Sequence, residues 1–255
     1  MMRLHQMTYR PFIAALLCSA MLLAVAPVRA ALIDLTPTNG SNSSSSVSLA
    51  DLISGTVTGV TVGDKVFTGF GYATMSADMP KAVNVSVQGF KDSSGNWGVT
   101  FQGAFMDLPG GDASSDAKIS FDVNIDATGL ANGLRISDAH LFLDGANAGG
   151  PNSLFAVDES FALSGLNNML EAGVSTFGAG STQLSDSTVF NPPVKSLHVT
   201  KDILAISDAA STGPARGTVI SQSFSQTITV PEPAAAMLSL LGMVGFGFKR
   251  SRQRG

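Results

Sequence analysis

Apolar and polar residues alternate with a period of two along most of this chain, the mark of half-buried strands rather than helices. In residues 82–88, Val83, Val85 and Val87 share one face. The turn-rich stretch Lys91-Asp92-Ser93-Ser94-Gly95-Asn96 follows. Trp97, Val99, Phe101 and Phe105 then resume the alternation, with Gly103 between the last two. These two runs predict a hairpin. Residues 118–126 put Ile119, Phe121, Val123 and Ile125 inward. Further strands are predicted at 57–62, 65–72, 134–144, 155–163, 196–200, 203–207 and 218–229, with Gly63-Asp64 as a turn. Only 166–172 reads as helical. Many short strands with turns roughly 8–12 residues apart predict one all-β domain, an antiparallel β-sandwich or jelly roll, over residues 49–229. Phe67, Phe70, Phe224 and Ile228 are expected inside it.

The ends break this pattern. Residues 31–48 start apolar and turn into Thr38-Asn39-Gly40-Ser41-Asn42-Ser43-Ser44-Ser45-Ser46, a composition expected of a flexible spacer. Residues 1–30 combine Arg3 and Arg10, an apolar run over 12–26 and the small-residue ending Val28-Arg29-Ala30. That is the build of a signal peptide, helical in its apolar part, which signal peptidase would cut between Ala30 and Ala31. Residues 230–255 hold Val230-Pro231-Glu232-Pro233, 15 uncharged residues, and a basic end with Lys249, Arg250, Arg252 and Arg254. As a helix the uncharged run would be roughly 22 Å long, short for a hydrocarbon core of about 30 Å. The basic residues would stay cytoplasmic, with everything before residue 230 across the membrane.

Pro231 and Pro233 fix φ and remove two donors, leaving a stiff extended peptide beside the membrane. The tripeptide, the apolar run and the Arg-rich end together resemble the PEP-CTERM sorting signal of exopolysaccharide-producing Gram-negative bacteria. The resemblance implies recognition of Pro231, Glu232 and Pro233 by an exosortase, a transpeptidase-like membrane enzyme. It also implies transient residence in the inner membrane, removal of the tail, and passage to the cell surface or extracellular matrix. In the body, Gly63-Asp64-Lys65-Val66-Phe67-Thr68-Gly69-Phe70 resembles an opening motif of uncharacterised PEP-CTERM domains. Residues 197–203 and 221–226 resemble their closing part. That domain type brings no activity with it.

Charge and cysteine narrow the classes. Between residues 31 and 248 there are 8 Lys and Arg against 19 Asp and Glu, a net −11. This disfavours nucleic acid as a partner. The only cysteine, Cys18, lies in the predicted signal segment. The mature chain would therefore be held by its core without disulfides.

The search for chemistry returns little. Asp122, Asn124, Asp126 and Thr128 imitate the start of a calcium loop, but Ala127 stands where the sharp turn needs Gly and Gly133 where a carboxylate belongs. Strand alternation explains these residues better. Asp107, Asp112 and Asp116, or Asp138 with Asp144, are the other calcium candidates, weighed against solvated loop carboxylates. Without a mature cysteine, His140 and His198 are too few for zinc, and no Gly-x-Ser-x-Gly elbow accompanies them. Asp158-Glu159 is an adjacent acidic pair, but on a strand its side chains point to opposite faces. Trp97 and Tyr72 are the aromatics with a polar handle for stacking on sugar, weighed against core packing. The expectation is an exported structural or adhesive protein of the surface or matrix, not an enzyme and with no cofactor. A carbohydrate- or calcium-binding module with exopolysaccharide as partner, and an extracellular hydrolase, are the alternatives.

Overall fold

A computed structural model describes residues 31–111, 114–162 and 169–229. The signal segment, Asp112, the sorting motif and the basic end lie outside the described residues. No helix among the described residues is long and apolar enough to cross a membrane.

Among the described residues fifteen strands form two sheets. Sheet I contains β1 (Leu32–Asp34), β3 (Gly59–Val62), β4 (Lys65–Thr74), β7 (Ser115–Ile125), β13 (Ser196–Ile206), β9 (Leu154–Phe161), β10 (Met169–Ser175) and β11 (Ser181–Gln183), in that spatial order. Sheet II runs β12 (Ser185–Val194), β8 (Leu134–Asp144), β14 (Ala215–Phe224), β6 (Trp97–Asp107), β5 (Ser86–Lys91) and β2 (Asn42–Ser48), while β15 (Gln226–Ile228) also pairs with β8. All pairings are antiparallel except β1 with β3.

The inward faces meet through aromatic rings. Phe101 of sheet II lies 5.6 Å from Phe121 of sheet I, and Phe224 lies 6.2 Å from Phe67. Phe67 and Phe70 are three residues apart yet both inward. A bulge at Gly69, whose φ is +63°, supplies the extra residue that returns Phe70 to the core. Gly63, with φ +60°, makes the tight turn between β3 and β4.

The β5–β6 hairpin, β7 and β8 form as the alternation predicts. Several expectations are corrected. The serine-rich spacer is strand β2. Its backbone pairs with β5, and the Ser43 hydroxyl accepts from the Gly89 amide where the ladder slips. Residues 82–84 form a 3₁₀ turn that leaves Val83 exposed, while Val85 and Val87 are buried. The expected helix at 166–172 gives way to strand from Met169 onward. Among the described residues the α-helices are α1 (Leu49–Ser54) and α2 (Ala127–Ala131), capped by the Ser48 hydroxyl and the Asp126 carboxylate. Strand β12 carries Pro192 and Pro193, which an edge position tolerates. Residues 196–200 and 203–207 are one strand, because Lys201 points inward and interrupts nothing. Phe224 is buried, but Ile228 is exposed.

Polar groups tie the sheets together from inside. Lys65 donates to Asp64 at 2.9 Å and to Gln226 at 2.6 Å. Lys201 donates to Glu159 and, at 2.6 Å, to Gln222. Asp107 accepts from the Ser115 hydroxyl and the Ser207 amide, both at 2.7 Å.

Candidate functional site

The outer face of sheet II is built from two lateral rows set by strand register. One row runs Ser187, His140, Ser223, Gly98, Phe90, Asn42. The next runs Ser185, Phe142, Ser221, Thr100, Gln88, Ser46. The middle strands β14 and β6 carry only small side chains here, so larger rings from β8 and β5 lean in over them. Phe90 and Phe142 meet edge to face at 5.8 Å, and His140 stacks against Phe142 at 6.3 Å. Beneath this cover Thr100, Ser221 and Ser223 are buried, and the three rings stay half-exposed.

Polar groups surround the rings. Thr100 and Ser221 share a hydrogen bond of 2.8 Å, and the Thr100 hydroxyl donates to Asn42 at 3.3 Å. The Ser223 hydroxyl donates to Asp92 at 2.7 Å. Burial pushes the Asp92 carboxyl up, but hydrogen bonds from Ser223, Asn96 and Ser94 outweigh it and hold it below its ordinary value.

Among the described residues neither histidine has the two-sided hydrogen bonding of a Ser-His-Asp relay. A Ser-His-Asp triad uses the two ring nitrogens for different partners. In His140 a single nitrogen, Nε2, meets both Asp138 at 3.0 Å and Ser225 at 3.3 Å. Asp138 also accepts the Ser225 amide at 3.0 Å, so the cluster braces the break between β14 and β15. His198 pairs with Asp122 at 2.7 Å on the outer face of sheet I, with both side chains nearly half exposed. Such openness gives the imidazole no cleft in which to act.

The calcium candidates are dispersed. Asp107 is spent inside the sandwich, Asp116 accepts from Ser76, and Asp144 accepts from the Gly145 amide. Asp122 and Asn124 face outward on β7, while Asp126 is occupied as a helix cap. Asp158 and Glu159 point to opposite faces, as strand geometry requires. Asp158 sits between Glu171 and Asp202, and burial followed by these two charges raises its carboxyl. Among the described residues no group of three or more His, Cys, Asp or Glu is gathered to hold a metal.

Trp97 and Tyr72 are both committed to packing. The indole lies against the Gly63 turn, so closely that a Cβ there would come within 2.4 Å, and carries the Lys91 ammonium 4.7 Å from its centroid. The Tyr72 hydroxyl donates to the Pro80 carbonyl at 2.5 Å, and burial raises the phenol to about 12. Phe90, His140 and Phe142, which sequence reasoning passed over, also keep partial exposure. Parity marks them, since Val85 and Val87 inward put Phe90 outward, and Leu141 and Leu143 inward do the same for His140 and Phe142.

No family model matches the sequence, and no curated protein matches it. Among solved structures, similarity is found to TmCBM61 in complex with β-1,4-galactotriose, at 13% identity and TM-score 0.27, over 63% of this chain and 88% of that one. TmCBM27, a carbohydrate-binding module with specific mannan recognition, gives 11% identity and TM-score 0.25, over 63% and 99%. The family 32 module of C. perfringens NanJ in complex with galactose gives 13% and 0.19, over 62% and 93%. Scores this low do not establish a shared strand order or site.

Proposed function

We propose that this chain is an exported, non-catalytic β-sandwich that binds carbohydrate on the outer face of sheet II. The observation that carries the reading is the half-buried cluster of Phe90, Phe142 and His140, rimmed by Asp92, Asn42 and Gln88. Apolar ring faces with polar groups at their margin suit the C–H faces and hydroxyls of a sugar. The sorting signal read in residues 230–255 supplies the route to a surface or matrix where exopolysaccharide is the available ligand. Glu232→Ala would then block processing, leaving full-length protein in the inner membrane fraction. Normal tail removal in that variant would refute the role of Glu232.

Binding is tested with a glycan array run with and without calcium, followed by titration of any hit. Phe142→Ala is expected to weaken a captured glycan about two- to tenfold, since one aromatic contact contributes roughly 0.5–1.5 kcal/mol. A structural or adhesive role without a glycan ligand is the second reading. It is favoured by the hydrogen bonds that already satisfy Ser221, Ser223 and Thr100 among their neighbours. An array blank under both conditions, or an affinity indifferent to Phe142→Ala, would decide for that reading.

A further inference from the structure

The centre of the sandwich holds reactive groups that carbohydrate binding leaves unused. Lys201, Glu159 and Gln222 are all fully buried. Lys201 on β13 stands directly opposite Glu159 on β9, and Gln222 faces it from β14 in the other sheet. The Lys201 Nζ donates to Glu159 Oε2 and, at 2.6 Å, to Gln222 Oε1. Two atoms of the cluster, Glu159 Oε1 and Gln222 Nε2, have no hydrogen-bond partner.

Burial lowers the Lys201 ammonium and raises the Glu159 carboxyl, each against the opposing charge of the other. The desolvated site thus favours an uncharged amine beside a carboxylic acid. An uncharged lysine is a nucleophile, and this one is fixed against a carboxamide. Holding the two groups together removes the entropic cost of bringing them into contact.

We propose that Lys201 and Gln222 join in an intramolecular amide that stitches β13 to β14 across the two sheets. Nζ attacks the Gln222 Cδ and gives up a proton to Glu159. Glu159 delivers a proton to Gln222 Nε2. The Cδ–Nε2 bond breaks and ammonia leaves. One C–N bond forms and one breaks, nothing is oxidised or reduced, and Glu159 ends as it began. The two unpartnered atoms are the proton donor and the leaving nitrogen of this step. Condensation of Lys201 with Glu159 itself would instead expel water, and no further titratable side chain touches the cluster among the described residues to relay its proton. A covalent tie between sheets also answers a need of this chain, whose only cysteine precedes the mature body.

The test is the intact mass of the full exported protein, followed by tandem mass spectrometry of its tryptic peptides. The expected mass is that of the processed sequence less one ammonia, with cleavage after Lys201 blocked and its peptide joined to the one containing Gln222. An unmodified mass overturns the proposal. Loss of water with Glu159 joined, or loss of ammonia confined to Asn39-Gly40 or Asn132-Gly133 as a succinimide, overturns it equally. Glu159→Gln preserves volume and removes the proton relay, so it should restore the unmodified mass. If that variant keeps the ammonia loss, Glu159 is not the relay and the step as written is wrong. The wild-type mass decides the main point even if this variant does not fold.

Discussion

Two fully buried lysines reach from sheet I to a glutamine of sheet II, each at 2.6 Å, yet they sit in different electrostatic worlds. Lys65 lies at one end of the sandwich. Its partner Asp64 keeps a side-chain exposure of 19%, and Asp138 and Asp92 add their fields. Lys201 lies at the centre against a carboxylate with no exposure at all. Burial lowers both ammonium groups, but Lys65 has the charges of Asp64, Asp138 and Asp92 to compensate, where Lys201 has Glu159 alone. The same hydrogen-bond pattern therefore makes a part-exposed clasp at one place and a dry, reactive pair at the other. A strand position inside a sandwich is defined less by its partner's name than by whether that partner can still reach water.

The largest effect should come from breaking the central pair. Lys201→Ala opens a cavity and leaves Glu159 and Gln222 without their shared partner, and thermal or urea unfolding should show a loss of about 2–5 kcal/mol. A loss below about 1 kcal/mol would mean that water already reaches the centre, and the contrast with Lys65 would collapse. Lys65→Met should cost less, roughly 1–3 kcal/mol, because Asp64 can rehydrate. If Lys65→Met proved the more damaging, the clasp and the dry pair would have to exchange places in this account.

Acid should produce the smallest and most local effect. Asp92 has its carboxyl held below an ordinary 3.8, so its contribution to stability is present above that value and lost as pH falls through the lower folded value. Lys65 loses a supporting charge in the same range. Unfolding followed from pH 5 to pH 2 should therefore lose part of its pH dependence in Asp92→Asn. An unchanged slope in Asp92→Asn would remove Asp92 from the clasp.

Much of the sandwich was legible because inward residues announce themselves by parity. Ile119 to Ile125 and Leu134 to Asp144 needed nothing more than alternation. What alternation could not reveal was backbone pairing by residues with no apolar face. Ser43 to Ser46 belong to a strand because an edge of sheet II was open to them, and any non-proline residue can supply ladder hydrogen bonds. Lys201 and Glu159 were hidden for the opposite reason. Charged residues in a strand read as solvent-facing, and only the three-dimensional meeting of β9, β13 and β14 makes their inward parity intelligible. The surface rings Phe90 and Phe142 were legible in principle, since each falls out of step with its buried neighbours.

The break at Ser225 has a mechanical consequence. Strand β15 spans three residues and is paired only with β8, so a pull applied at residue 229 would strip its rungs one after another. Gln226 would leave Lys65, and the peeling front would then arrive at Phe224, buried against Phe67 in the core. Residues 225–229 would form a yielding lead of about 17 Å when drawn out. A domain tethered by that end in a shearing medium would pivot on this lead before the load reached its main body.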